Sequence, residues 1–288
     1  MIFNYQIAGL SLQFDTDSEI VDNKESVLFR ISDISTNPDI TCKICGRAEL
    51  PHTPGELFSF TDSTHLYLDG DVMWQELLNR KNDQPLFLSR YSVNDMGEIQ
   101  LWVLEKERSY TNRIEHIWSA VDLPYQLLKA GILTLHSSAV EVNGEALLFL
   151  APSGTGKSTQ ARLWSTFCGS TQLNGDKVGV TCRNNIAIAH GLPFCGTSGI
   201  CEKYEIPVKA LVLLAQAKEN VVQRLTGASA LRAVMQNCFG HQAVPGCIEK
   251  ILQVAMPLLN QVPVYKLFCT PDERAVQLLE KCLKEEGD

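Results

Sequence analysis

A continuous apolar run, Ala146 to Ala151, leads directly into Pro152, Ser153, Gly154, Thr155, Gly156, Lys157, Ser158 and Thr159. A strand with no polar face has to be covered on both sides, which commits this part of the chain to a layered α/β arrangement. Gly154 and Gly156 can take backbone angles closed to other residues, so successive N–H groups can turn inward around an anion. A helix expected from about 157 to 167 adds its positive N-terminal end to the same point. The spacing of Ala151, Gly156, Lys157 and Ser158 fits a phosphate loop with Ala in place of the first Gly. In such a loop Lys157 neutralises β- and γ-phosphate charge and the Ser158 hydroxyl ligates Mg²⁺. The plainer alternative is a glycine turn capping an ordinary helix, and the buried strand in front argues against it. We therefore expect nucleotide binding, with ATP and Mg²⁺ as cofactors and Ser153, Gly154, Thr155, Gly156, Lys157, Ser158 and Thr159 as the contacts.

The first hundred residues have another texture. Short runs such as 5–14, 27–31, 40–44, 56–60, 65–68, 85–91 and 99–104 alternate apolar and polar side chains between turns. That pattern predicts a mainly antiparallel sheet. Trp118, Val121, Leu123, Leu127 and Leu128 then recur at helical spacing. Strands follow at 133–142 and 145–151 around Asn143 and Gly144, a two-residue hairpin turn. Further strands are expected near 179–182, 186–190, 208–216 and 221–225, and the chain closes with helix 248–259, strand 262–268 and helix 272–284. The fold expected is α/β (α+β overall): a β-rich N-terminal domain over 1–111 and a phosphate-loop α/β domain over 112–288.

Residues 153–158 follow a hairpin whose first strand carries Leu135, His136, Ser137 and Ser138. With these residues the chain resembles the HPr kinase/phosphorylase and ATP-dependent phosphoenolpyruvate carboxykinase superfamily. Within it the chain is similar to the HPr-kinase-like branch, which includes serine kinases acting on the ribosomally made peptides of lasso-peptide gene clusters. The resemblance covers about 133–225. It implies that His136, 21 positions before Lys157, approaches the phosphates. It also implies acidic residues on the strand after the phosphate-loop helix, commonly an Asp-Asp pair. The matching segment is Leu173, Asn174, Gly175, Asp176 and Lys177, so one carboxylate is present and Gly175 stands in the other place. By this resemblance Asp176 and Ser158 hold Mg²⁺, Asp176 or His136 takes the acceptor's proton, and Lys157 completes the catalytic set. The implied activity is transfer of the γ-phosphate to a hydroxyl, in first place a Ser of a peptide or protein. A small-molecule alcohol kinase and a non-catalytic ATP-binding regulator are the alternatives, the latter kept open by the single Asp.

Composition narrows the partners. The 288 residues carry 25 Lys plus Arg against 33 Asp plus Glu, a net charge of −8. Counterion release on nucleic acid or an anionic membrane needs clustered cations, so neither is expected as a partner. No apolar run reaches the roughly 18 residues of a membrane helix. Met1 to Leu10 contains no basic stretch followed by an apolar core, and the ten Cys are scattered. We therefore expect a cytoplasmic protein with reduced thiols, and leave a homo-oligomer open. Cys42 and Cys45 sit at a zinc-like spacing, but on a strand residues three apart face opposite ways. Tyr67, Trp74, Phe87, Tyr91 and Trp102 read as sheet core, with a peptide-docking surface as the alternative. The Gly-rich 191–204 segment reads as a flexible loop able to close over an acceptor.

Overall fold

The computed structural model describes residues 1–34 and 37–285 of a mixed α/β protein, and these described residues fall into two compact units: those of 1–130 with 241–245, and 131–240 with 246–285. Among the described residues, no helix is long and apolar enough to cross a membrane.

The first unit is built on a nine-stranded sheet. Its strands are β1 (Ile2–Ile7), β2 (Leu10–Thr16), β3 (Arg30–Ile31), β4 (Ile40–Arg47), β5 (Glu56–Thr61), β6 (Thr64–Asp69), β7 (Val72–Leu78), β8 (Pro85–Ser92) and β9 (Glu98–Leu104), in the order β3-β1-β2-β4-β9-β8-β7-β6-β5. Most pairings are antiparallel, as the alternation predicts, but β2–β4 and β4–β9 are parallel. The single strand expected over 5–14 is instead the hairpin β1–β2, turning at Ala8 and Gly9, both at positive φ. Phe87 and Tyr91 enter the core, whereas Tyr67, Trp74 and Trp102 stay half-buried. Trp74 and Trp102 stack 5.8 Å apart with Arg90 over Trp74, so the five aromatics do not share one core. Cys42 is buried in the core while Cys45 is not, as β-strand alternation requires.

Three helices complete this unit: α1 (Arg108–Thr111), α2 (Ile114–Ala120) and α3 (Leu123–Lys129). The helical stretch from 118 to 130 is thus two helices, broken where Asp122 takes left-handed backbone angles (φ 52, ψ 54). The boundary expected at 111/112 moves to 130/131, because these helices bury Ile114, Trp118, Tyr125 and Leu127 within the first unit. Trp118 packs edge-on against Tyr5 at 5.0 Å, and Tyr125 donates to the Val93 carbonyl at 2.9 Å. Short-range texture changes at 112, but burial decides the division.

Asp122 Oδ2 also accepts from His241 Nε2 and, at 3.1 Å, from the Tyr91 hydroxyl. Burial alone would raise the Asp122 pKa, yet His241 and the Tyr91 bond bring it below the ordinary carboxylate value of 3.8. Burial alone would lower His241, yet Asp122 lifts it above the ordinary imidazole value of 6.5. The carboxylate's contribution is present above 3.8 and lost as pH falls through its lowered folded value. The imidazole's contribution is complete below 6.5 and lost as pH rises through its raised folded value. Stability of this unit is therefore expected to decline on the alkaline side of pH 6.5. His241→Phe should flatten that decline and cost roughly 2 kcal/mol at pH 6, as thermal melts across pH will show.

The second unit contains β10 (Leu133–Val142), β11 (Glu145–Leu150), α4 (Lys157–Cys168), β12 (Thr171–Asn174), β13 (Lys177–Arg183), β14 (Ile186–Gly191), β15 (Glu205–Gln216), β16 (Val221–Leu225), α5 (Gly227–Met235), α6 (Cys247–Gln261), β17 (Val264–Cys269) and α7 (Glu273–Glu285). The long strands β10 and β15 each serve two sheet regions. Early β10 pairs with β13 and early β15 with β14, while their later halves both pair with β11. The run of strands β11, β15 and β17 is parallel, and all three carboxyl ends lie along one edge. Val140, Leu147, Phe149, Trp164, Val212, Tyr265 and Leu279 form the core that fixes α4 and α7 to this sheet.

Candidate active site

The phosphate-loop segment folds as its spacing predicts. β11 is buried from Ala146 to Leu150, and the chain then turns through Gly154 (φ +78) and Gly156 (φ +119) into α4 at Lys157. A side chain at either glycine would strain the backbone, since those angles disfavour any Cβ. Ser153, Gly154 and Ser158 are exposed, Thr155, Gly156 and Thr159 are half-buried, and Lys157 is buried. Ser158 and Thr159 occupy the first turn of α4, and Ser138 Oγ on β10 donates to the Lys157 carbonyl at 3.2 Å.

Three of the expected catalytic side chains converge. Lys157 Nζ donates to the Ala151 carbonyl at 2.9 Å and sits 3.0 Å from His136 Nε2. His136 Nε2 is in turn 3.5 Å from Asp176 Oδ1, and Asp176 Oδ2 is 3.6 Å from Lys177 Nζ. Strand pairing produces this meeting. His136 lies opposite Lys177 in the β10–β13 register, and Ser137 N donates to the Asp176 carbonyl at 3.0 Å. Asn174 shapes the turn by accepting from the backbone N–H of Asp176 (2.9 Å) and Lys177 (3.1 Å).

No protein-family model matches this chain, and no curated protein matches it. Among solved structures it is similar to the HPr(Ser) kinase/phosphatase from Coxiella burnetii. That likeness has 12% identity and a TM-score of 0.31, and spans 53% of this chain and 95% of that one.

Burial lowers the His136 pKa, the Lys157 ammonium lowers it further, and Asp176 works against both. Burial likewise lowers Lys157, again opposed by Asp176. The lowered His136 value favours a neutral imidazole that accepts from Lys157 Nζ at Nε2, while the lowering of Lys157 comes from burial. Lys177 is a fourth member that the sequence reading did not single out. Its ammonium lies 4.1 Å from the Phe194 ring centroid and 4.8 Å from that of Phe239, while Phe239 meets His136 edge-on at 6.0 Å. Two aromatic faces favour a cation between them. Because Lys177 also depresses His136, Lys177→Met is expected to raise the His136 pKa toward 6.5. Imidazole NMR titration checks this; an unchanged or lower value would contradict the assignment.

The segment over 191–204 is hydrogen-bonded to residues 173–175. Gly175 N donates to the Ile200 carbonyl (3.1 Å), Glu202 N to the Leu173 carbonyl (2.9 Å) and Asn174 Nδ2 to the Leu192 carbonyl (3.1 Å). The loop presses on the turn beneath it. A Cβ at Gly175 would fall 1.7 Å from Ser198 Oγ and 2.7 Å from the Cys195 carbonyl oxygen, and one at Gly196 would fall 2.8 Å from Asp176 Cβ. Gly175 is thus a close-approach glycine, and the space of a second carboxylate holds Ser198 instead.

Proposed function

We propose that this protein is an ATP-dependent kinase that transfers the γ-phosphate to an alcohol, with a Ser of a peptide or protein as acceptor. The observation that carries this reading is the line of Lys157, His136 and Asp176, at 3.0 and 3.5 Å, at the mouth of a phosphate loop. The loop amides and Lys157 hold the β- and γ-phosphates, and α4 adds its N-terminal charge. Asp176 takes the proton from the acceptor hydroxyl, because the His136 Nε2 lone pair already faces Lys157. His136, kept neutral, places Lys157 without adding a second positive charge.

Mg²⁺ fits the oxygen donors present: the exposed Ser158 hydroxyl and the Asp176 carboxylate, which stands 3.5 Å from the neutral His136 ring and 3.6 Å from the Lys177 ammonium. When bound it supplies charge neutralisation on the phosphates. For the acceptor, support comes from the resemblance to peptide serine kinases and from the edge strand β5. That strand exposes Leu57 and Phe60 and pairs on one side only, a form that accepts an extended peptide as an added strand. A cytoplasmic location and the absence of nucleic-acid or membrane partners remain part of this reading.

The test is transfer of γ-labelled phosphate from MgATP into cell extract separated into small-molecule, peptide and protein fractions, with Lys157→Ala alongside. Label in the peptide or protein fraction only with the intact loop is the expected result. Label confined to small molecules would replace the acceptor class. The second reading, an ATP-binding regulator, is favoured by one observation, the filling of the Gly175 position by Ser198. MgATP binding without label or phosphate release in any fraction would make it the better account.

A further inference from the structure

We propose that the cavity lined by the segments following β15 and β17 is the nucleoside half of the nucleotide site. This inference rests on the phosphate-loop reading above and extends it to the base and sugar. In open α/β sheets ligands sit beyond the carboxyl ends of parallel strands. Here β11, β15 and β17 run parallel, and the phosphate loop leaves the end of β11. Both neighbouring strand ends are tied to that loop or its helix. Gln216 Nε2, closing β15, donates to the Thr155 carbonyl at 3.3 Å, and Gln160 Nε2 on α4 reaches Cys269 Sγ, closing β17, at 3.3 Å.

Two residues beyond Gln216 and one beyond Cys269 the chain opens a cavity of about 510 Å³. That is within the size range of small-molecule sites. Its base is braced by a cross-link between the two segments. Asn220 Oδ1 accepts from the Thr270 backbone N–H at 2.9 Å, Asn220 Nδ2 donates to Asp272 Oδ1 at 3.1 Å, and Thr270 Oγ1 donates to Asp272 Oδ2 at 2.9 Å. A braced base is pre-ordered for a ligand and loses little freedom on binding.

The remaining walls are Lys218, Glu219, Arg274 and Leu278. A site for phosphate alone would present cations and N–H groups. This one sets the Arg274 guanidinium and the Lys218 ammonium beside two carboxylates, Glu219 and Asp272, and the apolar Leu278. Arg274 and Leu278 suit the flat face of a base, and Glu219 is an acceptor for ribose hydroxyls.

Calorimetric titration of the full chain with ATP and with tripolyphosphate, in EDTA, tests this. Wild type should bind ATP more tightly than tripolyphosphate. Arg274→Lys keeps the charge but loses the planar face, so ATP affinity should fall roughly tenfold while tripolyphosphate affinity stays within twofold. Glu219→Gln should weaken ATP selectively as well. If neither variant weakens ATP, or if both ligands weaken together, the nucleoside assignment is overturned. If wild type binds neither ligand, or Lys157→Ala weakens neither, the phosphate-loop reading itself falls and the cavity assignment goes with it.

Discussion

Gly175→Asp, the change that would rebuild an Asp-Asp pair, is expected to lower stability and abolish phosphoryl transfer. A Cβ there falls 1.7 Å from Ser198 Oγ and 2.7 Å from the Cys195 carbonyl oxygen. Ser198 is not a loose side chain that can swing aside. Its hydroxyl donates to the Cys195 carbonyl at 2.7 Å and accepts from Ile200 N–H at 3.1 Å, holding the turn together. Overpacking a closed site costs about 1–3 kcal/mol, and here backbone must move as well. The displaced turn carries Gly196, which lies against Asp176, so the one carboxylate of the site moves with it. Thermal melts and labelled-phosphate transfer measure the two effects. Adding Ser198→Gly should recover part of the stability, since it removes the nearer clash and leaves the carbonyl one. A Gly175→Asp protein with wild-type melting and raised turnover would show that the turn yields and that a second carboxylate is accepted there.

Asp176→Asn should reduce transfer by at least about 100-fold, the range for loss of a positioned general base. Nucleotide affinity without metal should change only a few-fold, because the loop amides and Lys157 are untouched. The amide keeps the shape of the side chain, so Asn174 can still accept from the backbone N–H of residues 176 and 177. Loss of the carboxylate also removes the charge that raises His136 and Lys157, and both are expected to fall further below their ordinary values. Separate measurement of turnover and ATP affinity distinguishes these roles. Full turnover in this variant would take the proton step away from Asp176 and give it to His136.

The strand, glycine turn and helix around Lys157 were readable because everything they need is local: an apolar strand, two glycines, Lys157 and Ser158 within a few residues. His136 and Asp176 were readable only through a family resemblance, since nothing in their own neighbourhoods marks them. The cage around Lys177 was not readable, because Phe194 and Phe239 arrive from distant segments. Gly175 shows a different failure. As sequence it reads as a missing carboxylate, and only packing reveals a position that admits no side chain. The 191–204 segment looked flexible from its glycines, yet Gly191 and Gly196 serve close contact. Likewise 112–130 reads by periodicity as the start of something new, while its buried face belongs to the preceding sheet. Strand β7 and helix α5 also lay outside the sequence reading, β7 because its half-buried pattern is irregular and α5 because it opens on Gly227.

The parallel trio of strands carries a consequence for the order of folding. Hairpins such as β10–β11 close over two residues, but Leu150 must find Leu213, and Leu213 must find Lys266. Each of those pairings encloses a long stretch of chain whose freedom is lost before contact is gained, so they form slowly. The edge that presents the phosphate loop is then among the last parts of the unit to assemble. Because these slow pairings set the rate at which the unit forms, substitutions that weaken them should slow refolding, as refolding kinetics of such variants will show. The same edge thus serves chemistry and the completion of the fold, so a change made there for one is felt by the other.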